Sequence, residues 1–112
     1  MAHVTISIPE EHVDDLRRQL LRAHARCAAA LRRALDAYLR SHERFDAVEG
    51  AVVELADLDE ALHQVGWSAG REPRAVVLRA HPEVLVDALR ALVDAHGSLT
   101  LRELLLSVER EG

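Results

Sequence analysis

The stretch that decides the fold is residues 10–49, EEHVDDLRRQLLRAHARCAAALRRALDAYLRSHERFDAVE, which contains no glycine and no proline. Apolar positions recur along it at steps of three or four, and this spacing is typical of one face of an α-helix. The row comprises Val13, Leu16, Leu20, Ala23, Cys27, Leu31, Leu35, Tyr38, His42 and Phe45. The pattern predicts one very long helix, about 54 Å in length if it runs from residue 10 to residue 45.

A helix of that length presents more apolar surface than a lone small domain covers. It therefore needs a partner, which either folds back from the same chain or belongs to a second copy. We expect a homodimer in which the apolar row supplies the contacts. The predicted dimer-interface residues are Leu16, Leu20, Cys27, Leu31, Leu35 and Tyr38.

Two short segments alternate between apolar and polar residues, as half-buried strands do. In the first, Val4, Ile6 and Ile8 alternate with small polar residues, and Pro9 then ends the strand. The second is RAVVLRA, at residues 74–80. We expect the two to pair, and the sequence leaves open whether they do so within a chain or between chains.

A second helix is expected from Asp46 or Glu49 to Val65. The segment ERFDAVEG, residues 43–50, is the likeliest place for a corner before it, with Asp46 as a possible N-cap, and Gly66 can take the left-handed conformation that ends helices. The segment SAGREP, residues 68–73, then predicts a loop.

Two shorter helices are predicted near the C-terminus. The first begins at Pro82 and ends at Gly97, and the second begins at Thr100 with Glu103 at capping-box spacing. The whole pattern predicts a mainly α fold in a single domain, residues 1–112. It consists of a long helical hairpin, two short C-terminal helices and a short two-stranded β element formed by residues 3–8 and 74–79.

Charge is distributed unevenly along the chain, whose net charge is −5. Residues 1–45 contain eight arginines and six acidic residues, whereas residues 46–112 contain six arginines and thirteen acidic residues. An acidic protein is disfavoured as a non-specific binder of nucleic acid, although the basic N-terminal segment keeps that function open. The absence of a long apolar run and of a signal-peptide pattern predicts a cytoplasmic protein that does not bind membranes.

Catalytic and metal-binding signatures are weak. Glu60 and His63 have the spacing used by di-iron helical bundles, but that site needs the pair twice and the sequence contains no second Glu-x-x-His. The single cysteine, Cys27, lies among alanines on the apolar row, where a thiol behaves as a small hydrophobe. We therefore expect no enzymatic activity, no cofactor and no metal.

The segments VTISIPEE (residues 4–11), VDDL (13–16) and RRALDAYLR (32–40) resemble the ribbon-helix-helix repressors and antitoxins. In that family two strands pair across a dimer and enter the major groove of DNA. The resemblance implies that His3, Thr5 and Ser7 read bases and that Arg17 or Arg26 lies near phosphates. It also requires a turn within residues 23–29, where the apolar row predicts unbroken helix.

The whole chain is similar to small uncharacterised helical proteins of GC-rich bacteria. The marks are VTISIP, LADLDEALHQVGW (residues 55–67) and VLVDALRALVDA (84–95). This resemblance implies an architecture and no activity. The leading functional prediction is a dimerising, non-enzymatic interaction or scaffold protein, and the alternative is a ribbon-helix-helix-like DNA-binding regulator or antitoxin.

Overall fold

The computed structural model describes residues 3–69 and 76–111 and confirms the mainly α fold class. In chain order the elements are strand β1 (Val4–Ile8), helix α1 (Val13–Ser41, preceded by a 3₁₀ turn at Glu10–His12), helix α2 (Phe45–Ala69), strand β2 (Val76–Ala80), helix α3 (Pro82–His96) and helix α4 (Leu99–Glu111). Helices α1 and α2 form a hairpin between the two strands. In the part of the chain that the structure describes, no helix combines the length and the apolarity needed to cross a bilayer.

The two strands pair antiparallel within one chain, with Ile6 opposite Leu78. Val4, Ile6 and Ile8 are buried and the intervening residues are exposed, so the predicted alternation is confirmed. The inner face of this sheet joins the helices in one core. That core is filled mainly by leucine and valine, and its fully buried members include Leu16, Leu20, Leu58, Val65, Leu78, Leu85, Leu89, Leu92, Leu101 and Val108.

The free edge of β2 is held by a side chain of α2. The amide of Gln64 donates to the Arg79 carbonyl oxygen at 2.7 Å and accepts from the Arg79 backbone N–H at 2.8 Å. One glutamine thus satisfies both backbone groups that Arg79 directs away from β1. This pair of bonds fixes the end of α2 against the sheet.

The single helix expected from residue 10 to residue 45 is wrong at its C-terminal end, because α1 ends at Ser41. His42 takes the left-handed conformation with φ 57°, and its N–H bonds to the Tyr38 carbonyl oxygen at 2.6 Å. Arg44 is also left-handed, with φ 61°. The chain therefore reverses at residues 42–44, at the start of the corner expected within residues 43–50, and it does so without a glycine or a proline.

Helix α2 begins at Phe45, one residue before the expected Asp46, and runs through both Gly50 and Gly66. Gly50 is not a corner and Gly66 is not a C-cap, since α2 continues to Ala69. Burial of Leu58, Ala61 and Val65 along the same helix outweighs the modest intrinsic penalty of a helical glycine.

The ends of α3 agree with the sequence-based expectation, whereas the start of α4 differs from it. Helix α3 begins at Pro82 and stops at Gly97, which has φ +62°, as expected. Helix α4 begins at Leu99 rather than Thr100, because the Ser98 hydroxyl accepts from the Leu101 N–H. At the start of α1, Pro9 precedes the 3₁₀ turn and no side chain caps it.

We expect Gly50→Ala to raise the free energy of unfolding by about 1 kcal/mol, because alanine favours helix and the added Cβ meets no atom within 4 Å. The matched control is Gly97→Ala, which has equally open space but a positive φ. It should lower the free energy of unfolding by about 1 kcal/mol. Urea denaturation measures both, and effects of the same sign would contradict the assigned conformations.

A second substitution tests the two hydrogen bonds between the Gln64 side chain and the Arg79 backbone. Gln64→Glu keeps the shape and can accept from the Arg79 N–H, but an ionised carboxylate cannot donate to the Arg79 carbonyl. The free energy of unfolding at pH 7 should fall by about 1–2 kcal/mol. The deficit relative to wild type should shrink near pH 4, where the protonated acid regains a donor, and a deficit independent of pH would argue against this account.

Candidate interaction surface

The far half of the hairpin extends beyond the core. Between Cys27 on α1 and Val48 on α2, every residue is half-buried or exposed. We call residues 28–47 the hairpin tip. Large apolar side chains nevertheless continue through this segment, so the tip carries apolar surface that its own chain leaves in contact with water.

On α1, exposed apolar residues recur at seven-residue spacing. Leu21 is 51% exposed and Leu35 is 40% exposed, with the half-buried Ala28 midway between them. Leu39 follows four residues later and is 67% exposed. Residues seven and four apart lie on one side of a helix, so these side chains form a continuous row.

Helix α2 carries a matching row. Phe45 and Val52 are seven residues apart and both are 50% exposed. The next position in this series is Asp59, whose Oδ1 lies 2.6 Å from Nε2 of His24 on α1. Because His24 lies between Leu21 and Ala28 on α1, this contact places the two rows on the same side of the hairpin. We call the combined surface of Leu21, Leu35, Leu39, Phe45 and Val52 the hairpin face.

Aromatic contacts support the end of this surface. The ring of Tyr38 lies 5.1 Å from that of Phe45 and 5.7 Å from that of His42, measured between centroids. The Ser41 hydroxyl donates to the Ala37 carbonyl oxygen at 3.0 Å. The turn between α1 and α2 is therefore packed by its own side chains, which favours a preformed binding surface.

The six residues predicted for a dimer interface are divided by the fold. Leu16, Leu20 and Cys27 are buried in the core of a single copy, where other elements of the same chain cover them. Leu31 and Tyr38 are half-buried at the tip, and Leu35 belongs to the hairpin face. For these last three the interface stays a prediction, whereas the first three are not available to a second copy.

The predicted interface set leaves out Leu21, Leu39, Phe45 and Val52, which are the other members of the hairpin face. Leu21, Leu39 and Val52 lie beside the main apolar row, which is the side that α1 and α2 turn toward each other. The available signal was the seven-residue spacing of Leu21, Ala28 and Leu35, which forms a second row displaced from the first.

The residues implied by the ribbon-helix-helix resemblance lie on separate elements, and the helix break that the resemblance requires is not present. His3, Thr5 and Ser7 are exposed on the outer side of β1, Arg26 is exposed on α1, and Arg17 is half-buried. Helix α1 is continuous through residues 23–29, and β1 pairs with β2 of its own chain. DNA binding by these residues stays a prediction.

The two helices of the hairpin carry opposite charge. Helix α1 contains seven arginines and three aspartates, whereas α2 contains six acidic residues and no arginine. Within the described residues, the single ion pair between the two helices joins His24 to Asp59. The arginines at the tip, Arg32, Arg33 and Arg40, therefore face solvent without a carboxylate partner in residues 3–69 and 76–111.

Cys27 is a packing residue. Its thiol donates to the Ala51 carbonyl oxygen at 3.4 Å, joining α1 to α2. Burial raises the pKa of the Cys27 thiol, and the nearby Glu54 carboxylate acts in the same direction. The thiol is therefore neutral at physiological pH, which is the unreactive form.

A polar cluster joins the start of α1 to the end of α3. His96 Nε2 lies 2.7 Å from Asp15 Oδ2, and the rings of His12 and His96 are 5.0 Å apart. Arg18 also bonds the Asp15 carboxylate. The His96 hydrogen bond, helped by Arg18, lowers the pKa of Asp15 below its ordinary value of 3.8. The Asp15–His96 hydrogen bond joins α1 to α3, and across the described residues no three potential metal ligands converge.

Comparison with protein families, with curated proteins and with solved structures finds no match to this chain. Function must therefore be inferred from the surface of the fold itself, and the hairpin face is the largest aligned set of exposed apolar side chains that the described helices present.

The Asp15 contact predicts a specific pH dependence. Because the folded state lowers the pKa of this carboxyl group, its stabilising effect is present above about pH 4 and is lost as the pH falls through the folded-state pKa. Asp15→Asn should therefore lower the free energy of unfolding at pH 7 and reduce its decline below pH 4. Chemical denaturation across pH 2–7 measures this, and parallel curves for the two proteins would contradict it.

Proposed function

We propose that this protein is a non-enzymatic interaction protein that forms a homodimer through the hairpin face. The observation that carries the proposal is the alignment of five large, half-exposed apolar side chains in two rows on one side of α1 and α2. Exposed apolar surface of this kind is disfavoured in a monomer and is typical of sites that bind another protein.

The geometry of the hairpin suits a second helical hairpin. Two helices side by side form a single layer, and a second layer of two completes a four-helix bundle with seven-residue spacing at its contacts. A second copy supplies such a layer with the same rows. A two-fold axis then brings the same surface of both copies together, which is the usual arrangement in homodimers.

The proposed core contacts differ from those expected from the sequence. Leu35 belongs to both the predicted set and the hairpin face, and Leu31 and Tyr38 lie at the border of the hairpin face. Leu21, Leu39, Phe45 and Val52 join them, because these side chains retain exposed area after α1 and α2 have packed on each other. The base of the hairpin is already part of the core, so the dimer forms on the flank and tip of the hairpin.

The test is the double substitution Leu35→Asp with Leu39→Asp. Both side chains are exposed in one copy, so the fold should persist, whereas a dimer would have to bury two charges in each subunit. We expect the dissociation constant of the dimer to rise at least a hundredfold, measured by sedimentation equilibrium. Circular dichroism and thermal unfolding check that the helices remain.

The matched control is Leu106→Asp on α4. Leu106 is 49% exposed, as the face residues are, but it lies on a different helix. Sedimentation of this variant should equal that of wild type. Either of two results would refute the proposal. One is a wild-type protein that stays monomeric even at 100 times the concentration used in the assay, and the other is a double variant that still dimerises.

A further inference from the structure

We propose that the two copies pack with α1 of each subunit on α2 of the other, and that Arg32 and Glu49 set this orientation. The inference rests on the proposed homodimer and specifies how its subunits are arranged. It is carried by the distribution of charge on the hairpin, which the apolar rows do not explain.

The apolar hairpin face alone permits two arrangements. If the two-fold axis runs parallel to the helices, α1 of each copy lies on α2 of the other. If the axis runs across the helices, α1 lies on α1 and α2 lies on α2. Dispersion and the hydrophobic effect are non-directional and do not choose between these arrangements.

Electrostatics does choose. Helix α1 has four more arginines than acidic residues, and α2 has six acidic residues with no arginine. Packing α1 on α2 of the partner copy places opposite charges at both borders of the interface, whereas packing like helices together places like charges there. Such complementarity contributes mainly to orientation and specificity, because it penalises the wrong pairing.

The charges needed for this pairing are available. Arg32 and Glu49 are both exposed, and neither has an ion pair or hydrogen bond within the described chain. If these charges were paired within one copy, the arginines of α1 would form ion pairs with the carboxylates of α2 of the same hairpin. Instead the one ion pair that joins α1 to α2 within the described residues is His24 with Asp59, and Arg32, Arg33, Arg40 and Glu49 are exposed.

Arg32 and Glu49 occupy equivalent positions beside the two apolar rows. Arg32 follows Ala28 by four residues and precedes Leu35 by three, and Glu49 follows Phe45 by four and precedes Val52 by three. Arg32 lies ten residues before His42 and Glu49 lies five after Arg44, so their levels along the hairpin differ by about 7.5 Å. An arginine and a glutamate side chain together span that distance.

The experiment uses charge reversal in two variants. Arg32→Glu alone and Glu49→Arg alone should each raise the dissociation constant of the homodimer about tenfold in low salt, since two attractive contacts become repulsive. An equimolar mixture of the two variants should recover the wild-type constant as a heterodimer, because each reversed side chain then faces its opposite. Native mass spectrometry counts the heterodimer and sedimentation measures its affinity.

The control replaces Arg32→Glu with Arg33→Glu. Arg33 is the next residue on α1 and lies about 100° further round the helix, away from the hairpin face. Mixing Arg33→Glu with Glu49→Arg restores only one of the two contacts and leaves Arg32 facing the new arginine at position 49, so this heterodimer should stay weaker than the wild-type dimer. Raising the salt from 50 mM to 500 mM should reduce the differences among all the mixtures.

The remaining outcomes separate this inference from the proposal on which it rests. Preferential pairing of Arg32→Glu with wild type would show that α1 lies on α1 and would overturn the arrangement. A second outcome is that Leu35→Asp with Leu39→Asp abolishes the dimer while the charge-reversal variants keep the wild-type dissociation constant. That outcome would overturn the arrangement and leave the homodimer standing. A monomeric wild type would overturn both.

Discussion

Helix α1 is longer than the core that covers it, and most features of this protein follow from that mismatch. Its 29 residues span about 43 Å, whereas its last buried side chain is Cys27. A single helix of that length would leave its far half without packing. The reversal at residues 42–44 brings α2 back along it, and the two helices then shield the sides that they turn toward each other. The flank of the pair remains uncovered.

The base and the tip of the hairpin are stabilised by different means. At the base, α1 and α2 pack against the sheet and α3, Gln64 binds both backbone groups of Arg79, and His96 bonds Asp15. At the tip, stability comes from α1 packing on α2 and from the rings of Tyr38 and Phe45. Because packing and hydrogen bonds stabilise the base independently of the tip, changes to the tip surface should affect association without unfolding the protein.

Much of the fold could be predicted because its signals are local. Alternation at Val4, Ile6 and Ile8 marks a strand, and Pro82 and Gly97 mark the ends of α3 by their backbone preferences. The turn after Ser41 could be placed only approximately, within residues 43–50, because no glycine or proline marks it and a residue such as Arg44 adopts a positive φ only where the packing of α2 on α1 requires it. The predicted interface row mixes two environments for the same reason: Leu35 is exposed, whereas the path of α2 and the sheet make Leu16 and Leu20 internal.

In the proposed dimer, two physical effects have separate roles. Apolar side chains such as Leu39 and Phe45 supply the driving force, since removing their exposed area from water is favourable in any orientation. Arginines on α1 and carboxylates on α2 supply direction, and they do so at little cost because they stay at the solvated border of the contact. A hairpin with the same apolar rows and evenly mixed charges would associate in several registers. Segregated charge on two covalently linked helices would restrict the association to one arrangement, and this is the physical reason to expect a defined dimer rather than loose aggregation.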